Sequence, residues 1–160
     1  MLLVLKIVCL SCLIAIVAQD FRERLVYTWL FICVGILMSL FYFFETTIFM
    51  YLLNIGVNIG TLIIILGILH LYAKFKIGQP LNQVLGLGDI LFFIMIAISF
   101  PIPIFFVLFS FSLIFGLLLF LLLKPKLKEK NVPLAGLQAL FFTLVLSLNW
   151  MFKFTNLYMY

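Results

Sequence analysis

The chain has 160 residues, of which 68% are hydrophobic and only 9% charged, a balance that excludes an ordinary soluble domain. Such a length holds about six spans of roughly 20 residues, so residues 1–160 are expected to form a single membrane-embedded domain. The formal net charge of +5 does not call for nucleic acid, because the positive residues fall in short clusters between apolar runs.

In chain order, the first apolar run covers residues 2–18. It ends Ile16-Val17-Ala18-Gln19, with no small residue three places before a cut after Ala18, and Lys6 is a weak basic region. It therefore reads as a retained first helix, not a cleaved signal peptide. The polar stretch 19–26 leads into a second run, 27–44, rich in Phe. Glu45, Thr46 and Thr47 mark a short turn. A third run, 48–73, is longer than a straight span needs and is expected to tilt or to begin along the interface. Residues 74–88, "KFKIGQPLNQVLGLG", form the longest polar connection. Its part from 77 to 88 holds three glycines and a proline and is expected to be mobile or irregular. A fourth helix runs from Asp89 to about Phe100, where "FPIP" breaks the backbone ladder and leaves the span short or kinked. Residues 104–123 form the fifth span, "KPKLKEKN" follows, and a sixth span runs from about 133 to 152. The expected fold is an all-α polytopic membrane protein with six transmembrane helices, its many Phe side chains facing lipid.

Charge gives an orientation. Arg22 and Arg24, then Lys74 and Lys76, then Lys124, Lys126, Lys128 and Lys130 place eight of the ten basic residues in alternate loops. The positive-inside rule puts these loops in the cytoplasm and both termini outside it. The 124–130 lysines are expected to meet anionic lipid headgroups. Asp20 and Asp89, two of only five acidic residues, fall on the same side as the basic loops.

Each aspartate alone has a structural explanation. Asp89 follows Gly88 and precedes an apolar run, as a helix N-cap does. Asp20 sits at the end of the first run, where the helix dipole disfavours negative charge, but Arg22 and Arg24 are near enough in sequence to neutralise it. Two carboxyls at one depth point further. Such a pair cannot easily ionise twice, so one keeps a proton. The ionised member can take a proton from water while the other hydrogen-bonds a scissile carbonyl, which hydrolyses a peptide bond without a metal or a covalent intermediate. Gly86 and Gly88 are expected to permit positive φ and to leave room for a peptide backbone beside Asp89.

"GLGD" at 86–89, with an upstream Asp at the end of the first span, resembles the GxGD intramembrane aspartyl peptidases. Within these the chain is most similar to the prepilin peptidases, or type IV leader peptidases. There the first aspartate opens a stretch like D-x-R-x-R-x-I-P-N; here Asp20, Arg22, Arg24 and Val26 follow that pattern, while Tyr27 and Thr28 replace its Pro-Asn. "VPLAGLQAL" at 132–140 resembles the family's I-P-F-G-P-F-L, with Pro133 matching. Leu91 stands where the family usually has Lys. The long bifunctional members carry paired C-x-x-C motifs after the first helix; the short 19–26 connection resembles the peptidase-only form, so no methyl transfer is expected. Presenilin-like relatives carry a Pro-Ala-Leu motif, which Pro133-Leu134-Ala135 does not reproduce.

The resemblance implies an aspartic-type endopeptidase of the inner (plasma) membrane, with Asp20 and Asp89 as catalytic carboxyls and Gly86, Gly88, Arg22, Arg24 and Pro133 as supporting residues. It implies a prepilin-like substrate whose short basic leader is removed at the cytoplasmic face. The alternative is a non-catalytic homologue serving as a membrane component of a pilus or secretion assembly, for which Leu91 and the missing Pro-Asn speak.

The remaining polar residues carry smaller expectations. Cys9, Cys12 and Cys33 lie in apolar runs and give no disulfide framework. The Cys9–Cys12 C-x-x-C has no nearby His or acidic ligand and reads as small buried side chains; no metal or cofactor is expected. Asn54, Gly56, Asn58 and Gly60 include a GxxxG, expected to let helices approach closely. His70, near the cytoplasmic end of the third span, reads as an interfacial residue.

Overall fold

The computed structural model describes residues 2–23, 25–78, 85–123, 133–152 and 156–158. Regular structure there is helical: α1 (Leu2–Arg22), α2 (Thr28–Glu45), α3 (Ile48–Tyr72) with a π-helical continuation (Ala73–Ile77), α4 (Leu87–Ser99), α5 (Ile102–Leu123) and α6 (Leu134–Phe152). Five of these helices are long and apolar enough to cross a bilayer, and α4 is a shorter apolar helix. The protein is a helical, multi-pass membrane protein.

Several boundaries differ from the hydropathy reading for clear reasons. The first helix runs through Asp20 to Arg22, because Gln, Phe and Arg sustain a helix beyond the apolar run and Arg22 complements the dipole at its end. With its π-helical end, α3 is 30 residues long. At about 1.5 Å per residue that is roughly 45 Å, well beyond a hydrocarbon core of about 30 Å. It stops at Gly78, whose φ of 73° is left-handed and whose N–H donates to the Ala73 carbonyl. The Phe100–Pro101 step separates α4 from α5 completely: Phe100 is extended (φ −140°, ψ 153°), as the residue before a proline prefers.

The short α4 is central and packs against α2, α3, α5 and α6, while α1 lies chiefly against α6 and α2. Lipid tails are as apolar as these side chains, so association rests on close packing and interhelical hydrogen bonds. The expectation that Phe faces lipid is only half right. Phe92, Phe100, Phe105 and Phe142 are among the largest fully buried side chains, while Phe44 and Phe75 are exposed. The buried rings pair in edge-on and tilted geometries, Phe31 with Phe92 and Phe92 with Phe142 respectively, which fill space between helices.

Polar side chains secure the C-terminal end of α4. Asn58 Nδ2 donates to the carbonyls of Ala97 (3.0 Å) and Phe100 (2.9 Å). Asn54 Oδ1 accepts from the Ile102 N–H (3.4 Å), and its Nδ2 donates to the Tyr42 hydroxyl. A helix broken inside a bilayer must have its freed backbone groups satisfied, and these two asparagines do so. The GxxxG expectation is corrected here: a Cβ added at Gly56 or Gly60 would meet nothing within 4 Å among the described residues. The asparagines, not the glycines, form the inward face of α3.

Candidate active site

Three helix ends meet at the opposite end of α4. Gly86, extended at φ −68° and ψ 151°, is the N-cap of α4, and Asp89 is its third helical residue. Asp89 Oδ2 reaches back to accept the Gly86 N–H at 3.2 Å. Asp89 is therefore not the N-cap its position after Gly88 suggests, but the acidic partner one turn in, where a carboxylate is favoured by the dipole.

Asp20 lies in the last turn of α1, buried at 9% exposure. Its Oδ2 accepts the Gly136 N–H at 2.6 Å. That bond answers the dipole objection, because the C-terminal end of α1 is unfavourable for a carboxylate and the N-terminal end of α6 is favourable. α6 starts after Pro133, whose carbonyl accepts the Leu137 N–H at 3.0 Å. N–H groups of its first turn have no carbonyl within their own helix. The Gly136 group goes to Asp20, and that of Ala135 lies within reach of the Asp89 carboxyl. Asp20 and Asp89 are close enough for their charges to interact. Two carboxyls from distant parts of the chain thus meet one helix turn.

The supporting residues divide. Gly86 and Gly88 do not use positive φ; the only such glycine among the described residues is Gly78. Gly88 is helical, and a Cβ there would come within 3.5 Å of the Phe31 ring and 4.0 Å of the Ala135 Cβ. These are ordinary packing distances, so Gly88 lies in contact with α2 and α6 without a close approach that only glycine would allow. Gly86 is exposed, with a virtual Cβ 3.4 Å from Asp89 Oδ2. Pro133 is buried and begins α6, while Arg22 is exposed at the end of α1. Leu91 is half-buried and packs on the core, an environment suited to Leu and poor for Lys. His70 is exposed. Arg24, residues 79–84 of the expected irregular segment, and Lys124, Lys126, Lys128 and Lys130 lie outside the described residues.

The cysteines stand apart from this end, with Cys12 Sγ 3.9 Å from Cys33 Sγ and all three thiols free. Among the described residues no three His, Cys, Asp or Glu side chains gather as a metal site would require. The arrangement offers proton exchange through two carboxyls and two backbone donors. Sequence reasoning missed Ala135 and Gly136, which act through the main chain; the only trace is a pair of small residues just after a helix-starting proline. Comparison with known proteins gives no match, whether to a protein-family model, a curated protein or a solved structure.

Proposed function

We propose that the protein is a membrane aspartyl endopeptidase of the prepilin-peptidase type, using Asp20 and Asp89 as its acid–base pair. One observation carries the reading: these two aspartates, from the end of α1 and the start of α4, converge on the first turn of α6. A proton shared by such a pair lets one carboxyl activate water while the other donates to the carbonyl oxygen of the peptide bond. The six helices then act as six spans, with α4 short, both termini outside, and the carboxyl end facing the cytoplasm. The substrate would be a single apolar helix with a short basic leader, cut at that face of the inner membrane.

The test uses the full chain in lipid nanodiscs with a prepilin-like single-span protein. Wild type is expected to release the leader, and Asp20→Asn or Asp89→Asn to lower turnover by about 10³-fold or more, since members of a catalytic unit fail together. Wild-type turnover in either variant overturns the assignment. A second reading, a non-catalytic assembly component, draws on the capping bond from Gly86 N–H to Asp89, which gives that carboxyl a purely structural task. Under it the wild-type protein leaves the substrate uncut.

A further inference from the structure

We propose that Gly136 is a positioning residue for the carboxylate pair, holding Asp20 through both its backbone N–H and its missing side chain. This rests on the reading of Asp20 and Asp89 as a working pair. Among the described glycines, Gly136 alone has no room for a Cβ. One built there would lie 2.8 Å from Asp20 Oδ2 and 2.9 Å from Asp20 Cβ. At Gly116, elsewhere on the α5–α6 contact, the nearest atoms are at 3.5 and 3.7 Å, an ordinary packing distance. Asp20 cannot retreat by rotating a long side chain, since it has only one methylene and its own Cβ is part of the contact. Any side chain at 136 must push the end of α1 away from α6.

The N–H supplies the other half. It donates to Asp20 Oδ2 at 2.6 Å, a short contact typical of a charged acceptor. An amide in the first turn of a helix is fixed by the helix backbone, so it holds the carboxyl in place without the rotamer freedom a side-chain donor has. Gly88 completes the same wall from α4, where its virtual Cβ would be 4.0 Å from Ala135 Cβ. The spacing of the two aspartates is therefore set by how closely α1 and α4 approach the residues 135 and 136.

The chain has only two aspartates, so ¹³C at the Asp side-chain carboxyl gives NMR signals from Asp20 and Asp89 alone, assigned with the two Asn variants. The full protein in nanodiscs is titrated as wild type, Gly136→Ala, Gly116→Ala, and with Gly136→glycolic acid, which replaces the N–H by an ester oxygen and adds no side chain. The two changes at 136 are each expected to move the Asp20 midpoint by about one pH unit, and Gly116→Ala to leave both midpoints in place. Where a prepilin-like probe is cut, Gly136→Ala should lower kcat about tenfold or more with KM within about twofold. The rate is counted per folded protein from the intensity of the two Asp signals, because a smaller folded fraction alone would also lower the apparent kcat at constant KM. An unmoved Asp20 midpoint in the glycolic acid protein, which has no clash to impair folding, overturns the proposal. Moved midpoints in a protein that cuts no probe would support the positioning role while overturning the peptidase reading.

Discussion

The two ends of α4 treat polarity in opposite ways. At the C-terminal end, neutral side chains serve the backbone: Asn54 and Asn58 bond the groups released around Phe100 and Pro101. Tyr42, Tyr51 and Ser39 extend that cluster through hydroxyl contacts. At the N-terminal end the backbone serves side chains, as the Gly86 and Gly136 N–H groups donate to carboxylates. Satisfying a broken backbone in lipid is a requirement of folding. Placing two carboxyls in one another's field is not, since each could be replaced by a neutral residue at less electrostatic cost. The contrast teaches which end is built for stability and which carries a burden that stability does not explain.

The largest expected effect tests that division at the carboxyl end. If the pair acts as a catalytic unit, the double variant Asp20→Asn/Asp89→Asn should be no less active than either single change, all three falling about 10³-fold or more. Their unfolding free energies, measured in mixed micelles titrated with a denaturing detergent, should stay within about 1 kcal/mol of wild type, since an amide oxygen still accepts the backbone N–H bonds. Multiplicative loss across the two sites would break the comparison. Next in size, Asn58→Leu should destabilise by about 2 kcal/mol in the same titration, because it strips donors from the Ala97 and Phe100 carbonyls. The effect is held down because Asn58 Oδ1 has no partner among the described residues, so removing the side chain also relieves one unmet group. A change under about 0.5 kcal/mol would mean the break in α4 needs no clamp.

Hydropathy was sufficient to find the six α-helices of the described residues, because runs such as 104–123 are too apolar to be anything else. It was also sufficient to bring Asp20 and Asp89 to attention, since so few carboxyls occur. It could not say how they are held. Asp89 as the third residue of α4, and Asp20 against Gly136, depend on where three helices end relative to one another, a tertiary fact with no period in the sequence. The Phe side chains failed for a related reason: in lipid, inward and outward faces are equally apolar, so composition does not separate Phe92 from Phe44. GxxxG was the clearest local motif of α3, yet it faces outward, because the asparagines about half a turn away had backbone groups to satisfy and took the inward face.

A smaller effect sharpens the comparison within the asparagine end. Tyr42→Phe removes the hydroxyl that accepts from Asn54 Nδ2 but keeps the ring against Tyr51 and Tyr158. A loss of about 1 kcal/mol is expected, the net worth of one intramolecular bond. No loss would show that the Asn54 bond to the Ile102 N–H stands without support from Tyr42.

The smallest effect comes from placing one methyl group at two glycines. Gly56→Ala adds it in the middle of α3, where nothing lies within 4 Å among the described residues and the residue is exposed. Helix propensity favours Ala over Gly by up to about 1 kcal/mol in water, and less is expected in lipid, where the backbone has few alternatives to the helix. Gly56→Ala should therefore be neutral or stabilising by about 0.5 kcal/mol, with cleavage unchanged. The same methyl at Gly136 enters the space of Asp20, and there propensity cannot compensate a contact of 2.8 Å. If Gly56→Ala instead destabilised the protein by more than about 1 kcal/mol, the outward face of α3 would be a packing surface after all. The end of α4 held by Asn54 and Asn58 would then rest on the α3 glycines as well, and the division between a structural end and a carboxyl end would lose one of its two sides.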